Sequence, residues 1–375
     1  MSAASHDAAI ATLVSVACGL SPKRLAIVLA HHEPEEALDL LRSGGRLHPM
    51  CHRGLPAGRL ESLRVAAVAA STAEMAEALA AADIRVVRQG AAAYPPVLAC
   101  DPEAPAVLFV RGDVSALDGR RVGIVGTRHA SAAGRATAGE LAELLSDAGV
   151  AVVSGLARGI DSAAHRGVRS AGGSGRAVAV VGCAPDHPYP KVNADLWEWV
   201  ARHGLLISEW PPGVGPDAWR FPQRNRILAA LSEVVVVVES RERGGSLITA
   251  RMAVERGIEV MAVPGSPRSR ASAGTNQLLV DGAAPLTSVT DVLVMLGLDH
   301  RRAGGGVVDS RPRPDESQQA VLDACSAEPA NLDMIVTATG LPITDAALAA
   351  ARLEQAGWLA EAGGWFEPTA SRLSG

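Results

Sequence analysis

From Arg121 onward, short apolar runs alternate with segments of helical period. This is the pattern of strands buried on both faces of a parallel sheet, with helices packed above and below. The runs VGIVG (122–126), VAVVS (150–154), AVAVVG (177–182), LLIS (205–208), VVVVVE (234–239) and EVMAV (259–263) are predicted as strands. Helices are predicted near 134–147, 160–170, 192–203, 224–231 and 246–256, so the expected class is α/β, a doubly wound, mostly parallel sheet. Residues 1–82 are rich in Ala and Leu. Ser21-Pro22 and Glu33-Pro34-Glu35-Glu36 mark helix starts there, where acidic residues suit the first-turn dipole, and a small N-terminal helical domain is expected. The lead-in from 83 to 118 contains IRVV, YPPVL and PAVLFVRGD, which read as short strands and turns of a domain running to 298. Residues 299–316 mix Gly, Pro and charge without period and are expected to form a flexible linker. The segment 317–375 reads as helices at 317–326, 331–339 and 344–356, with a turn at Gly340-Leu341-Pro342 and a hairpin in WLAEAGGWFEP, a winged-helix pattern.

Composition narrows the class. A chain of 375 residues with 48% hydrophobic and 20% charged residues has the make-up of a soluble globular protein of two or three domains. No apolar run approaches the ~20 residues of a membrane span. The start, MSAASHDAAIATLV, lacks the features of a secretory signal, so a cytoplasmic location without membrane association is expected. Cys18, Cys51, Cys100, Cys183 and Cys325 are dispersed with no CxxC pair, which argues against a disulfide or zinc framework.

The net charge of -5 hides an uneven distribution. Residues 120–270 carry 19 basic and 14 acidic side chains, whereas 315–375 carry 2 and 9. The middle of the chain therefore holds the electrostatic signature of a polyanion site. The stretch 218–249 concentrates it, setting Arg220, Arg224 and Arg226 around Phe221. Guanidinium groups hold phosphate oxygens and a ring stacks on any base, a combination suited to single-stranded nucleic acid. A solvated basic helix face is the competing reading of the same residues.

Ligands of doubly wound sheets bind beyond the carboxyl ends of the strands. Those ends carry Gly126-Thr127-Arg128, the loop Ser154 to Asp161, Gly182 with Tyr189-Pro190-Lys191-Val192-Asn193, Ser208-Glu209-Trp210-Pro211, and Arg243-Gly244-Gly245-Ser246. Glycines at helix N-termini let backbone N–H groups approach an anion. GTRHASAAG does not space its glycines as GxGxxG, no acidic residue closes the second strand, and no GxxxxGK[ST] is present, so neither a dinucleotide nor a P-loop cofactor is expected. Asp161 and His165 could share a metal, but two ligands make a weak site, and Asp161 is read instead as a helix cap. Ser154 lacks a nucleophile context and His187 reads as a loop contact, so no catalytic set, cofactor or metal is expected. In the C-terminal module, Arg352 stands against Asp345 and Glu354 on the helix that would read DNA, which points to a protein-interaction or spacer role.

Taken together, VGIVGTR, SGLARGIDSAAH, GCAPDHPYPKVN, SEWPPG, FPQRNRILAALS, VVVVVESRERGGSLITARMAVERG and VMAVPG with GTNQLLVDGA resemble the DNA-processing protein A (DprA/Smf) family in order and detail, over about residues 94–297. The resemblance implies an extended Rossmann-like domain, flanked by a SAM-like or helix-hairpin-helix-like start and a winged-helix end. It also implies single-stranded DNA binding, a homodimer, loading of the recombinase RecA in natural transformation and homologous recombination, and no catalytic turnover. Carried onto this chain, the family's strand-binding region falls on Thr127, Arg128, Ser154, Gly155, Arg158, Gly159, Lys191, Asn193, Phe221, Arg224, Asn225, Arg226, Gly245 and Ser246. The chain departs from the family in RERGGS, where many members have lysine and serine, and in GCAPD, which lacks a second glycine. The alternative reading is a Rossmann-like nucleotide N-glycosidase (phosphoribohydrolase), of whose PGGxGTxxE loop RGGSLITARMAVE is a partial echo; a further alternative is a protein adaptor.

Overall fold

The computed structural model describes residues 3–18, 20, 22–56, 58–298, 311–312, 314–326 and 329–369. Contacts divide the chain into two compact units, residues 1–299 and 300–375. Ser21 of the expected helix start and most of the expected linker lie outside the described residues.

The first unit opens with α1 (Ala3–Val16), α2 (Pro22–His31), α3 (Pro34–Ser43), α4 (Pro49–His52), α5 (Arg59–Ala69) and α6 (Thr72–Ala81). Their apolar faces share a core with Ile84, Val107 and Phe109 at the start of the sheet. The lead-in then forms β1 (Arg85–Arg88), a single helical turn α7 (Pro96–Ala99) and β2 (Val107–Gly112). Here YPPVL makes a turn of helix, because Pro at its first position presets φ and removes an N–H that would lack a partner.

The sheet proper runs β3 (Arg121–Val125), α8 (Ala132–Asp147), β4 (Ala151–Ser154), α9 (Ile160–Ser170), β5 (Ala177–Val180), α10 (Ala194–His203), β6 (Leu205–Ser208), α11 (Arg220–Leu231), β7 (Val234–Val237), α12 (Gly245–Val254), β8 (Glu259–Ala262), α13 (Ala273–Val280), β9 (Ala284–Pro285) and α14 (Val289–Met295). Nine strands lie in the order β1-β2-β6-β5-β4-β3-β7-β8-β9. β3 to β9 are parallel throughout, and β2 joins β6 antiparallel. Alternate residues of each parallel strand face opposite layers. Val122, Ile124, Val152, Val234 and Val236 pack against α8, α9, α10 and α14, whereas Val125, Val153, Val235 and Val237 pack against α7, α11 and α12. Each such Val or Ile contributes roughly 1.5–3 kcal/mol of burial, which is why polar residues occur only at the ends of these runs. The order reverses between β3 and β7, and a crevice forms outside the carboxyl ends at that switch point.

The second unit comprises α15 (Glu316–Ser326), β10 (Ala330–Asn331), α16 (Leu332–Thr339), α17 (Ile343–Gln355), β11 (Leu359–Ala362) and β12 (Trp365–Pro368). Its strands form an antiparallel sheet in the order β10-β12-β11, and its core includes Val321, Ile335, Ala350 and Leu353. Among the described residues, no single helix is long and apolar enough to cross a membrane.

Candidate functional site

The switch-point crevice is a groove of about 590 Å³. It is walled by the loop after β3 (Gly126 to His129), the first turns of α11, Tyr189, and the loop from Arg241 to Ser246 that enters α12. α11 begins at Arg220, four residues earlier than the sequence pattern predicts, because Pro222 occupies its first turn, where a missing N–H costs nothing. That extra turn lifts Phe221 into the groove wall. Its ring centroid lies 5.5 Å from that of Tyr189, and the Arg128 guanidinium stands 5.1 Å over its face. Tyr189 is 41% exposed, so the two rings form an open stacking platform with a cation beside it.

Two glycines bring the loops together. Gly159 has φ +80, and a Cβ on it would lie 2.2 Å from the Thr127 carbonyl oxygen; only glycine lets the loop after β4 run against the loop after β3. A Cβ on Gly155 would lie 2.1 Å from the Arg224 guanidinium, which is laid flat over that backbone. Leu156 between them is fully buried with φ 52, a rare conformation for a side chain of this kind.

Arg224 forms part of the groove floor, although only 6% exposed. Its Nη1 donates to the Gly155 carbonyl at 3.0 Å and its Nε donates to Asn225 Oδ1 at 3.0 Å. Asp161 Oδ2 lies 4.0 Å from its Nη2. Burial pushes the Asp161 carboxyl above its usual range, opposed by Arg224 and by the N–H groups of Ala157 and Gly155. Asp161 is thus not the helix cap expected from the sequence. Gly159 occupies that position, and the carboxylate instead folds the preceding loop onto α9.

Other sequence-predicted residues are interior. Ser154 is fully buried and donates to the Ile124 carbonyl at 2.6 Å, tying β4 to β3. Asn193 is buried too; its Nδ2 donates to the Leu156 carbonyl at 2.9 Å and its Oδ1 accepts from Arg166, so it clamps the β4 loop. Ser246 donates to Ser240 Oγ at 2.9 Å at the start of α12. Arg226 leaves the groove altogether. It pairs with buried Glu209 and donates to the Glu103 carbonyl at 2.6 Å. Arg220 is held over the Trp210 and Trp219 rings, 4.5 and 5.2 Å from their centroids, and bonds the Gly215 carbonyl. The expected cluster of three arginines around Phe221 therefore does not form, because two of them are taken by partners on the far sides of the helix.

The cations that do face solvent are different ones. Arg128, Arg241 and Arg243 line the groove, are exposed, and make no ion pair among the described residues. Arg158 and Lys191 are likewise exposed and without ion pairs, on the loops after β4 and β5, outside the groove lining. Thr127, Phe221, Asn225, Gly245 and Ser246 of the expected set line it. The N-terminus of α12 opens there without a side-chain cap, leaving N–H groups and a positive field for an anion. Tyr189, Arg241 and Arg243 were absent from the expected set, although each follows a strand end and all are legible as aromatic or basic residues at the ligand-binding edge.

His165, behind this floor, is fully buried. Burial, and then Arg224, drive its pKa down to about 3, and the Ser154 backbone opposes them. Neither ring nitrogen makes a hydrogen bond of good geometry, so it is a neutral core residue. Asp161 and His165 have no third potential ligand close enough to share an ion among the described residues; the one such group of three there is His6, Glu33 and Glu35 in the N-terminal region.

Comparison with known proteins places this geometry in context. The DNA processing protein DprA of Bacillus subtilis is 42% identical over 200 residues, spanning 53% of this chain and 67% of its own length. Protein Smf of Escherichia coli is 35% identical over 280 residues, 73% of this chain and 74% of its own. The X-ray structure of DNA processing protein A from Streptococcus pneumoniae superposes with a TM-score of 0.63 at 31% identity, covering 76% of this chain and 95% of that one. The corresponding protein of Helicobacter pylori, whose structure was described for its single-stranded DNA binding mode, gives a TM-score of 0.52 at 26% identity over 57% of this chain and 95% of that one. The model of the family described as DNA recombination-mediator protein A matches residues 85–297, more than half of the sequence, and the chain belongs to that family.

Proposed function

We propose that this protein binds single-stranded DNA in the switch-point groove and serves in the cytoplasm as an accessory factor of recombination. The observation that carries the reading is the pairing of an open Tyr189–Phe221 platform with three exposed guanidinium groups, Arg128, Arg241 and Arg243, that make no ion pair among the described residues, around the uncapped start of α12. A base stacks on the rings without regard to its identity, while its flanking phosphates meet the cations and the helix N-terminus. In this reading Thr127, Asn225, Gly245 and the exposed Arg158 and Lys191 contact the strand. Ser154, Gly155, Gly159, Asn193, Arg224 and Ser246 hold the loops in position for it.

Family membership supports the wider role: protection of incoming or processed strands and loading of the RecA recombinase during transformation or homologous recombination, by a homodimer without catalytic turnover. In this reading the N-terminal helices (1–82) and the sheet domain (83–298), which share one compact unit, are followed by a winged-helix module (317–375). The acidic balance of the last suits a protein partner better than a phosphate backbone. Fluorescence anisotropy with single- and double-stranded oligonucleotides at two ionic strengths tests the reading. Tight single-strand binding that weakens steeply with salt is expected; equal preference for duplex, or no binding at low salt, refutes it. Release of free base from nucleoside monophosphates would instead point to the N-glycosidase.

A further inference from the structure

The exposed, unpaired cations of the sheet edge fall in spatial order. Adjacent strands β5, β4, β3 and β7 carry Lys191, Arg158, Arg128 and the Arg241/Arg243 pair on the loops at their carboxyl ends. β8 is the next strand along, and the loop that leaves it holds Arg268 and Arg270, both exposed and neither in an ion pair among the described residues. No acidic residue occurs between Glu259 and Asp281, so nothing local neutralises them.

This loop is fixed in place. Asn276 accepts from the Gly265 N–H at 3.1 Å and donates back to the Gly265 carbonyl at 2.9 Å, closing its base. The Ser269 N–H donates to the Ser266 carbonyl at 2.9 Å, and the Arg268 N–H to Ser266 Oγ at 3.3 Å, which turns its tip. The base abuts the groove wall: the Gly274 N–H donates to the Ser240 carbonyl at 2.7 Å, and a Cβ on Gly274 would lie 2.5 Å from the Arg241 carbonyl oxygen. Two guanidinium groups are therefore mounted on a pinned loop, one strand beyond the groove on its β8 side, and the adjoining β7 loop carries one exposed acidic residue, Glu242.

We infer that Arg268 and Arg270 form a second phosphate-binding site, which holds the single strand where it leaves the groove and sets its path across β8. The inference rests on the proposed strand-binding role of the groove. Neighbouring strands stand about 4.8 Å apart, so the cation row from Lys191 to Arg270 suits an extended polyphosphate held at successive residues.

The test compares wild type with the Arg268→Ala, Arg270→Ala double variant, using thymidine oligonucleotides of about four and about sixteen nucleotides, within the range of sites on single-strand binding folds. The longer oligonucleotide is expected to bind roughly tenfold more weakly to the variant, with its log K against log salt slope flattened by about 1.4, two phosphates' worth. The shorter one, confined to the groove, is expected to bind both proteins alike, and Arg268→Lys with Arg270→Lys is expected to restore the longer one. Equal binding of the longer oligonucleotide by variant and wild type overturns the inference and leaves the groove reading standing. Equal weakening at both lengths, or a change in oligomeric state by light scattering, also overturns it. Failure of wild type to bind either oligonucleotide removes the groove reading and this inference together.

Discussion

Replacing Arg226 by alanine separates a structural arginine from a strand-binding one. The Arg226 and Glu209 side chains are 7% and 11% exposed and in direct contact, and Arg226 also donates to the Glu103 carbonyl. Truncation strands a buried carboxylate without its cation and a carbonyl without its donor, and breaking such a pair costs about 3–5 kcal/mol. Burial already pushes the Glu209 carboxyl upward, with Arg226 opposing; in the variant only the upward push remains. A carboxyl whose folded pKa exceeds its unfolded value binds more protons in the native state, so its contribution falls as pH rises. The loss in Arg226→Ala is therefore expected to be largest at neutral pH and to shrink toward pH 5. Urea unfolding at pH 5 and pH 7.5 measures both quantities, and Glu209→Gln in the same background is expected to recover part of the loss by removing the orphaned charge. The salt slope of oligonucleotide binding, measured at a temperature where circular dichroism shows the variant folded, is expected to match wild type. Unchanged stability with a flattened slope would show that Arg226 reaches phosphate, and would refute the burial argument.

Phe221→Ala is expected to weaken single-strand binding by about 1–3 kcal/mol with an unchanged salt slope, since stacking releases no counterions; anisotropy at two salt concentrations reads both. Arg241→Ala with Arg243→Ala is expected to flatten the slope by about 1.4 while leaving the urea midpoint in place, because both side chains are exposed and neither has an ion-pair partner among the described residues. A shifted midpoint would contradict that assignment. For His165, whose pKa falls to about 3, the unfolded chain takes up a proton that the native state refuses. Stability is expected to be fully present above pH 6.5 and to fall by up to about 1.4 kcal/mol per unit below it. A titration of unfolding free energy between pH 7 and 5, compared with His165→Asn, isolates this slope.

Much of the sheet was legible because a parallel strand covered on both faces is apolar along its middle and turns polar only at its ends, as VVVVVE and AVAVVG do. The start of α11 was less so, since Pro222 reads as a break unless it is known to occupy the first turn. The arginines of that helix were misjudged for a reason visible in its geometry. At about 100° per residue, Phe221, Arg224 and Asn225 share one face, while Arg226 lies about 200° from Arg224. Spacing alone thus excluded Arg226 from the groove. What it could not supply was the partner on the other side, because Glu209 and Glu103 reach Arg226 only through the folding of distant segments. Tyr189 was legible as an aromatic at the sheet edge but its contact with Phe221 was not, since that depends on the loop after β5 meeting the first turn of α11.

The division of labour among the arginines follows from solvation. A guanidinium already desolvated and bonded, as Arg224 is to the Gly155 carbonyl and Asn225 Oδ1, gains less from meeting a phosphate, because two of its donors are committed and its hydration is gone. An exposed guanidinium such as Arg128 or Arg243 exchanges water and counterions for phosphate, which is where salt-dependent affinity originates. The buried set makes that exchange productive by fixing the loops beforehand. Gly159 against Thr127, Asn193 on the Leu156 carbonyl, and Arg224 over Gly155 join the loops after β3, β4 and β5 to α11, so the proposed strand binding need not order them and loses less affinity to conformational entropy. A groove assembled this way holds its rings and cations in register before any ligand arrives, as the proposed site, accepting every base and reading only the backbone, requires.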